Sequence, residues 1–293
     1  MTIVLGDNQY GKAETHVVRI TKAGPGGKTH EIKDLNVSVA LKGDFAASHV
    51  SGDNSNIVPT DTQKNTVFAF AREPGVGEIE EFAMQLARHF VREFPSVDRA
   101  RVSIEEYAWS RITVDGKPHQ HAFVRAGVEK RLATVTCTDD ATWVVSGISD
   151  LVVLKSTGSE FTGYPKDRFT TLEETRDRVL ATSVAARWRH ARSEADWASS
   201  FAEARRLLLE TFAVKHSLAI QQSLYAMGEA VLKAQPGLAE IRLTLPNRHH
   251  FAVDLSPFGL SNDNEVFYAS DRPYGLIEGT VIRDDAPEAG FAW

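Results

Sequence analysis

The sequence predicts an α+β protein made of antiparallel sheets with helices on one face, and two patterns support this prediction. Segments with alternating apolar residues come in pairs separated by turn residues, which is typical of β-hairpins. These pairs lie at both ends of a helical block instead of alternating singly with helices. The order hairpin, helices, hairpin occurs twice, so we expect one domain over residues 1–135 and another over residues 136–293.

The composition is that of a globular protein with a substantial core, because 42% of the 293 residues are hydrophobic and 25% are charged. The net charge of -6 and the lack of a long basic block disfavour nucleic-acid binding. No apolar run in the sequence approaches the roughly 18 residues that a membrane-spanning helix needs.

Three features of the sequence favour the cytoplasm. The single cysteine, Cys137, excludes an intramolecular disulfide and a cysteine-based metal cluster, and it suits a reducing compartment. Residues 1–7 lack the charged-then-apolar order of a signal peptide. Residues 291–293 are not a peroxisomal signal of the Ser-Lys-Leu type, so we expect a cytoplasmic protein.

In the first half, strands are predicted over residues 13–22 and 32–41, and a loop over residues 44–59. Thr60 and Gln63 have the spacing of a capping box, which predicts Thr60 as the N-cap of a helix running to about Ala71. A second helix begins near Ile79, carries one apolar stripe and ends before Pro95.

In the second half, a capping box in residues 170–174 predicts a helix that carries Arg178. Further helices are predicted at about 194–213 and 217–234. Pro246 separates two predicted strands and is followed by Asn247, Arg248, His249 and His250. The predicted strands of this half are 133–137, 143–154, 239–245, 249–255, 264–269 and 275–282.

Seven short motifs occur in order along nearly the whole chain and together resemble the urate oxidase (uricase) family. They are Tyr10-Gly11-Lys12, the run from Val58 to Thr66, Phe161-x-Gly163, Thr170-Thr171-Leu172, Asp177-Arg178, Ile220-Gln221-x-Ser223-Leu224-Tyr225 and the run from Leu245 to His249. The resemblance implies two tandem T-fold (tunnelling-fold) domains that assemble into a barrel-like tunnel. It further implies a homotetramer with active sites shared between protomers.

The same resemblance implies a reaction: urate is oxidised by O₂ and water to 5-hydroxyisourate and hydrogen peroxide, with no metal or organic cofactor. Lys12, Thr60 and His249 match the catalytic residues of the family. In this assignment Lys12 is a base that works with Thr60, and His249 relays protons. An ammonium acts as a base only when its pKa is lowered by desolvation or a neighbouring cation.

The resemblance also assigns the groups that bind the substrate. Phe161 would stack on the flat purine, while the forked donors of Arg178 would bind one edge and the amide of Gln221 another. Asn247 would hold O₂ or peroxide. Backbone N–H groups of Asp61 and Ile220, and the hydroxyl of Thr60, complete the set.

Four of these residues also have a plain structural interpretation from their local sequence. Lys12 fits a solvated strand lysine, Thr60 a helix cap, and Phe161 a core residue. Arg178 fits a surface arginine paired with Glu174 one helical turn earlier. The family often has an aromatic residue in place of Thr162, so the surroundings of Phe161 differ slightly here.

His119 and His121 share one face of a predicted strand, a spacing that also suits a metal ion, but the sequence offers no third ligand in register. We therefore predict no metal site.

Two other functions remain open from the sequence. One is a different T-fold activity on a pterin, although such enzymes usually anchor the ligand with a Glu and often use zinc. The other is an assembly that binds purines without catalysis.

Overall fold

The computed structural model describes the backbone of residues 1–293 and every side chain except that of residue 271. Its strands are β1 (Tyr10–Ala23), β2 (Thr29–Gly43), β3 (Val97–Val114), β4 (Lys117–Cys137), β5 (Thr142–Lys155), β6 (Leu180–His190), β7 (Leu238–Ala252) and β8 (Phe267–Ile282). Its helices are α1 (Ala46–Val50), α2 (Thr60–Phe70), α3 (Ile79–Glu93), α4 (Trp197–Val214) and α5 (Ile220–Ala234).

The chain divides into two compact units. Unit 1 comprises Met1–Gly147, Arg189–Ala198 and Pro287–Trp293, and unit 2 comprises Ile148–Trp188 and Ser199–Ala286. In unit 1, β1 to β4 pair in chain order as antiparallel neighbours. In unit 2, β5 to β8 neighbour one another in the same way, and β7 and β8 are antiparallel. The predicted α+β class is confirmed, whereas the domain boundary at 135/136 stays a prediction.

The core of unit 1 lies between its sheet and α3. As predicted, the apolar stripe of this helix is buried, with Phe82, Leu86 and Phe90 at most 1% exposed. The stripe packs in one cluster with alternate residues of β2, such as Val37 and Val39. Burying each large side chain of this kind contributes about 1.5–3 kcal/mol relative to leaving it in water.

The core of unit 2 is formed by α4, α5 and its strands, with Val231 and Leu245 fully buried in one cluster. Close packing of α5 depends on Gly228. A Cβ atom at that position would lie 2.6 Å from a methyl carbon of Val281, which is a steric clash. The sequence patterns that predicted both helices are therefore confirmed, but the need for glycine appears only in three dimensions.

The helix predicted after residue 170 is wrong, because this segment pairs with another part of the chain. Phe161 and Thr175 exchange backbone hydrogen bonds of 2.8 and 3.1 Å, and the Arg178 N–H donates to the Ser159 carbonyl at 2.9 Å. A helix would need those same N–H groups for its own ladder. The Thr170 hydroxyl meanwhile donates to Asp167, forming a local turn instead of a cap.

Two strand predictions also need correction. The segments predicted as separate strands before and after Pro246 belong to one strand, β7, in which Pro246 pairs with Leu276. The irregularity comes later, where the pairing jumps from Asn247–Gly275 to His249–Ser270. Such a register shift reorients side chains at the point where it occurs. The loop predicted over residues 44–59 contains the short helix α1.

No helix among the described residues is both long enough and apolar enough to cross a membrane.

A buried polar network lies inside unit 1. The Ser146 hydroxyl is 2.7 Å from Glu80 Oε1 and 2.9 Å from His190 Nε2, and Arg131 donates to the other Glu80 oxygen at 2.8 Å. Burial raises the pKa of the Glu80 carboxyl. Burial also lowers the pKa of His190 from 6.5 to about 4, so this imidazole is neutral in the folded protein at neutral pH.

This histidine predicts acid sensitivity. Between pH 6.5 and about 4 the unfolded chain binds a proton at residue 190 that the folded chain does not, so stability falls as the pH falls through this range. The total loss of unfolding free energy over this pH range is roughly 3 kcal/mol. Denaturant unfolding from pH 7 to pH 4.5 should show a shallower loss of stability for His190→Gln than for the unmodified protein.

The matched control for this prediction is His121→Gln, since His121 is an exposed histidine of the same unit. The unfolding free energy of His121→Gln should fall with pH as steeply as that of the unmodified protein. Identical pH slopes for His190→Gln and the unmodified protein would show that His190 titrates normally in the folded state.

Candidate active site

The site in unit 2 is built on a loop that three segments hold in place. Residues 158–161 pair on one side with Thr175 and Arg178, as described above. On the other side the Ser217 N–H donates to the Gly158 carbonyl at 2.9 Å, and the Glu160 N–H donates to the Ser217 carbonyl at 2.8 Å. Because Ser217 lies three residues before α5, these bonds tie the start of that helix to the loop that carries Phe161.

Four of the predicted site residues surround one pocket of about 350 Å³. Phe161 and Arg178 reach it from the loop and its pairing segment, and Asn247 and His249 reach it from the irregular part of β7. Val179, Phe251 and Phe267 contribute apolar wall. The pocket therefore combines a flat ring, an amide, an imidazole and a guanidinium. Arg178 reaches it from a segment paired with that loop and not from the helix predicted to carry it.

Arg178 is the most informative group in this pocket. Its Cζ atom lies 5.3 Å from the centroid of the Phe161 ring. Its Nε atom is buried and has no hydrogen-bond partner among the described residues. Glu174, which local sequence offers as its partner, instead pairs with Lys166 at 3.3 Å. A buried donor without a partner is costly. The guanidinium to which it belongs lines the pocket, where its positive charge favours an anionic ligand.

His249 is held in the neutral form. Burial is the main cause that lowers its pKa, and the positive charge of Arg178 lowers the pKa further. Its ring stacks on Phe251 with a centroid distance of 5.7 Å and an interplanar angle of 24°. A neutral, oriented imidazole at pH 7 accepts a proton from a neighbouring group and passes it on.

Ile220 and Gln221 lie in the first turn of α5. Ile220 is buried, and its backbone N–H is one of the first-turn donors that has no partner within the helix. The neighbouring amide of Gln222 turns back to accept from the Leu218 N–H at 2.9 Å. The Gln221 side chain is exposed, which leaves it for a ligand at this helix end. Neither residue lines the pocket around Arg178.

Lys12, Thr60 and Asp61 belong to unit 1, where β1 and the start of α2 meet. A hydrogen bond with Lys64 is the main cause that lowers the pKa of Asp61, and the charge of Lys12 makes a smaller contribution in the same direction. Asp61 also accepts a 2.8 Å hydrogen bond from Asn65. The charge of Lys12 therefore acts on Asp61 in the first turn of α2, whereas the shared role of Lys12 and Thr60 stays a prediction.

The predicted capping box is wrong. Pro59 is the N-cap, because its carbonyl accepts the first helical bond, from the Gln63 N–H at 3.1 Å. The Gln63 side chain is fully buried and donates to the Val58 carbonyl instead of returning to residue 60. Thr60 is therefore the first helical residue, exposed, with a hydroxyl that makes no capping bond.

A supporting contact that sequence analysis missed fixes this helix start. The Tyr10 hydroxyl accepts a 2.7 Å hydrogen bond from the buried Val58 N–H and lies 3.1 Å from the Val58 carbonyl oxygen. Tyr10 is two residues before Lys12 on β1, so one side chain links the lysine's strand to the segment entering Thr60. Tyr10 belongs to the Tyr10-Gly11-Lys12 motif, but nothing in the sequence identifies Val58 as its partner.

The His119 and His121 rings lie 4.5 Å apart, and His30 from β2 brings a third ring 5.7 Å from His121. The sequence could not show this third histidine. In the described part of the chain, however, no three His, Cys, Asp or Glu side chains are arranged to hold a metal ion.

A family model described as uricase matches residues 8–136 and 144–278. The chain belongs to the uricase family. It is 51% identical to the uricase of Arthrobacter globiformis over 282 residues, which cover 96% of this chain and 91% of that one. It is 40% identical to the uricase of Oryctolagus cuniculus, covering 94% of this chain and 93% of the relative.

Solved uricase structures have the same fold. The crystal structure of the Arthrobacter globiformis uricase matches with a TM-score of 0.93 and 50% identity, covering 98% of both chains. A uricase structure from Bacillus fastidious matches with a TM-score of 0.79 and 26% identity, covering 95% of this chain and 94% of that one. The predicted tunnelling fold of the uricase family is confirmed.

The contact between Tyr10 and Val58 predicts a stability effect. Tyr10→Phe keeps the ring but leaves the buried Val58 N–H without its acceptor, which should destabilise the protein by about 1–3 kcal/mol. Thermal or denaturant unfolding measures the difference.

Tyr225→Phe is the control for Tyr10→Phe, because Tyr225 is exposed and its hydroxyl makes one long hydrogen bond, 3.3 Å, to Glu229. Its effect should stay within about 0.5 kcal/mol. Equal, small effects of the two substitutions would rule out a structural role for the Tyr10 hydroxyl.

Proposed function

We propose that this protein catalyses the oxidation of urate by O₂ and water to 5-hydroxyisourate and hydrogen peroxide, as a step of urate degradation and without a metal or organic cofactor. Membership of the uricase family supports the reaction. The observation that carries the site is the Arg178 guanidinium beside the Phe161 ring on the wall of one pocket.

Urate is a flat anion, and unit 2 offers groups for both its face and its edge. The Phe161 ring provides a π-surface on which the purine stacks. The Arg178 guanidinium donates two parallel hydrogen bonds to a carbonyl oxygen and an adjacent ring nitrogen. Gln221 lies outside the lining of this pocket, and the family resemblance assigns its amide to a further edge of urate. The free N–H groups at the start of α5 favour the negative charge.

The proton and oxygen chemistry belongs to a second set of groups. Lys12, with Thr60, removes a proton from bound urate, and the resulting electron-rich dianion gives two electrons to O₂. With two protons the reduced oxygen leaves as hydrogen peroxide, and water adds to the oxidised carbon. Asn247 holds the oxygen species, and neutral His249 relays protons. Stabilisation of the developing charge by fixed dipoles is the largest expected contribution.

We infer that the active protein is a homotetramer whose sites are shared between protomers. Unit 1 carries Lys12, Thr60 and Asp61, and unit 2 carries Phe161, Arg178, Gln221, Asn247 and His249. Neither unit carries both sets. The free N–H groups of Thr60 and Asp61 at the start of α2 suit the same anion. A cytoplasmic location is part of this proposal, since the only cysteine, Cys137, is unpaired and buried.

The proposed reaction is tested by mixing purified protein with urate under air and following the loss of urate absorbance together with O₂ uptake. We expect one O₂ consumed for each urate, with no loss of rate after exhaustive chelation. Turnover of a pterin that stops on chelation would favour the pterin alternative. Tight urate binding without O₂ uptake would favour a non-catalytic purine-binding assembly.

The forked donors of Arg178 predict that charge alone is not enough. Arg178→Lys keeps the positive charge but loses one of two parallel hydrogen bonds, which should weaken urate binding by ~1.5–3 kcal/mol. Isothermal titration with urate under nitrogen measures this change. The control is Arg176→Lys, an exposed arginine two residues away, which should bind urate normally. Unchanged affinity in Arg178→Lys would remove Arg178 from the substrate contact.

Substituting a group assigned to oxygen and substituting a group assigned to urate should have opposite kinetic effects. Asn247→Leu keeps approximate size but removes the amide, so it should bind urate nearly normally and consume O₂ at least ~100-fold more slowly. Gln221→Leu should mainly weaken urate binding. Anaerobic titration followed by oxygen-electrode rates at saturating urate separates the two effects. If Asn247→Leu lost binding but kept its saturated rate, the two assignments would be inverted.

A further inference from the structure

The aromatic ring proposed to carry the substrate is itself stacked on a second ring. Tyr164 lies 4.8 Å from Phe161 between ring centroids, with an interplanar angle of only 15°. Phe161 lines the pocket, whereas Tyr164 is outside the pocket lining. Tyr164 therefore covers the face of Phe161 that points away from the pocket, and a ligand would share the pocket side of the ring with the Arg178 guanidinium, whose Cζ atom lies 5.3 Å from the ring centroid.

Tyr164 is fixed at both ends of its side chain. Its hydroxyl donates a 2.6 Å hydrogen bond to the Leu172 carbonyl, and Leu172 is part of the pocket wall. The ammonium of Lys166 lies 5.4 Å from the Tyr164 ring centroid and is held there by its ion pair with Glu174. The Tyr164 side chain thus connects the Phe161 ring to the backbone of Leu172.

We propose that Tyr164 is a positioning residue for the purine ring, acting through Phe161. This inference rests on the proposed function, in which Phe161 stacks on urate. The backbone of residues 158–161 is fixed by hydrogen bonds, but these bonds leave the Phe161 side chain free to rotate about its own torsion angles. The parallel Tyr164 ring restricts that rotation and sets the plane on which a flat ligand lies.

The physical consequence is preorganisation. A ring already held in the binding plane loses less conformational freedom when the ligand stacks on it, so affinity improves without any contact between Tyr164 and the ligand. The hydroxyl bond to Leu172 has a second effect, because it keeps the wall of the pocket at a fixed distance from the ring. The stack supplies most of the orientation, and the hydroxyl a smaller part.

The test compares three variants by anaerobic titration with urate and by steady-state kinetics. Tyr164→Leu removes the stacked ring and should raise the Kd for urate by about threefold to tenfold, the range expected from loss of one aromatic pair. Its rate at saturating urate should change much less. Tyr164→Phe keeps the stack and should restore the Kd to within about twofold of the unmodified protein. Phe161→Leu should weaken binding at least as much as Tyr164→Leu.

These outcomes separate the inference from the proposed function. If Phe161→Leu binds urate normally, the assignment of the stacking ring itself is wrong. If Phe161→Leu loses affinity while Tyr164→Leu keeps it, the site stands and the positioning role of Tyr164 is overturned. Equal weakening by Tyr164→Phe and Tyr164→Leu would also overturn it, since the stack would then not matter. Melting temperatures of all three variants establish that each is folded.

Discussion

The backbone hydrogen bonds that hold residues 158–161 between two other segments are the interaction on which the site in unit 2 depends. They place Phe161 beside Arg178 on one side and tie the loop to the start of α5 on the other. Ser159 and Ser217, at the centre of this arrangement, are fully buried. A buried backbone must satisfy its polar groups, so this short ladder has few alternatives. Its formation excludes a helix over residues 171–178 and directs the guanidinium into the pocket.

The charges of the site follow from this arrangement. Burial lowers the pKa of Arg178, but a guanidinium keeps its proton at neutral pH, so the pocket contains a persistent positive charge. That charge, added to burial, keeps His249 neutral and therefore able to accept a proton. In the proposed mechanism, one residue thus attracts the anionic substrate and prepares the neighbouring imidazole for proton transfer. A neutral side chain in place of Arg178 would weaken both the attraction of an anion and the lowering of the His249 pKa.

The elements that the sequence predicted well are those set by a strong local period. The stripe of α3 and the alternation in β2 each follow from which residues face one core. The helix predicted to carry Arg178 was wrong, because the capping signals at Thr170 and Thr171 compete with pairing to Phe161, a contact that no local pattern shows. The capping box at Thr60 failed for a similar reason, since Gln63 is used by the buried Val58 carbonyl.

The site residues were named through resemblance, whereas their supports appear only in the structure. The pocket around Arg178 could be anticipated from the sequence, because four of its lining residues, Phe161, Arg178, Asn247 and His249, lie in the motifs that carry the resemblance. The supporting roles of Tyr10, Ser217 and Tyr164 could not be anticipated, because each acts through a contact with a residue distant in the chain or across a loop. Motifs identify chemistry, but the groups that orient it are recognised by distance and burial.

In the proposed homotetramer, a complete site needs unit 1 of one protomer and unit 2 of another. Hybrid tetramers test it most directly: Lys12→Met protein and Arg178→Ala protein, each inactive alone, are mixed under conditions in which subunit exchange is verified independently. In a hybrid tetramer, some sites would combine the intact unit 1 of the Arg178→Ala chain with the intact unit 2 of the Lys12→Met chain. Urate-dependent O₂ uptake should therefore reappear after mixing. If exchange is complete and no activity returns, the sites are not shared between protomers and the account is wrong.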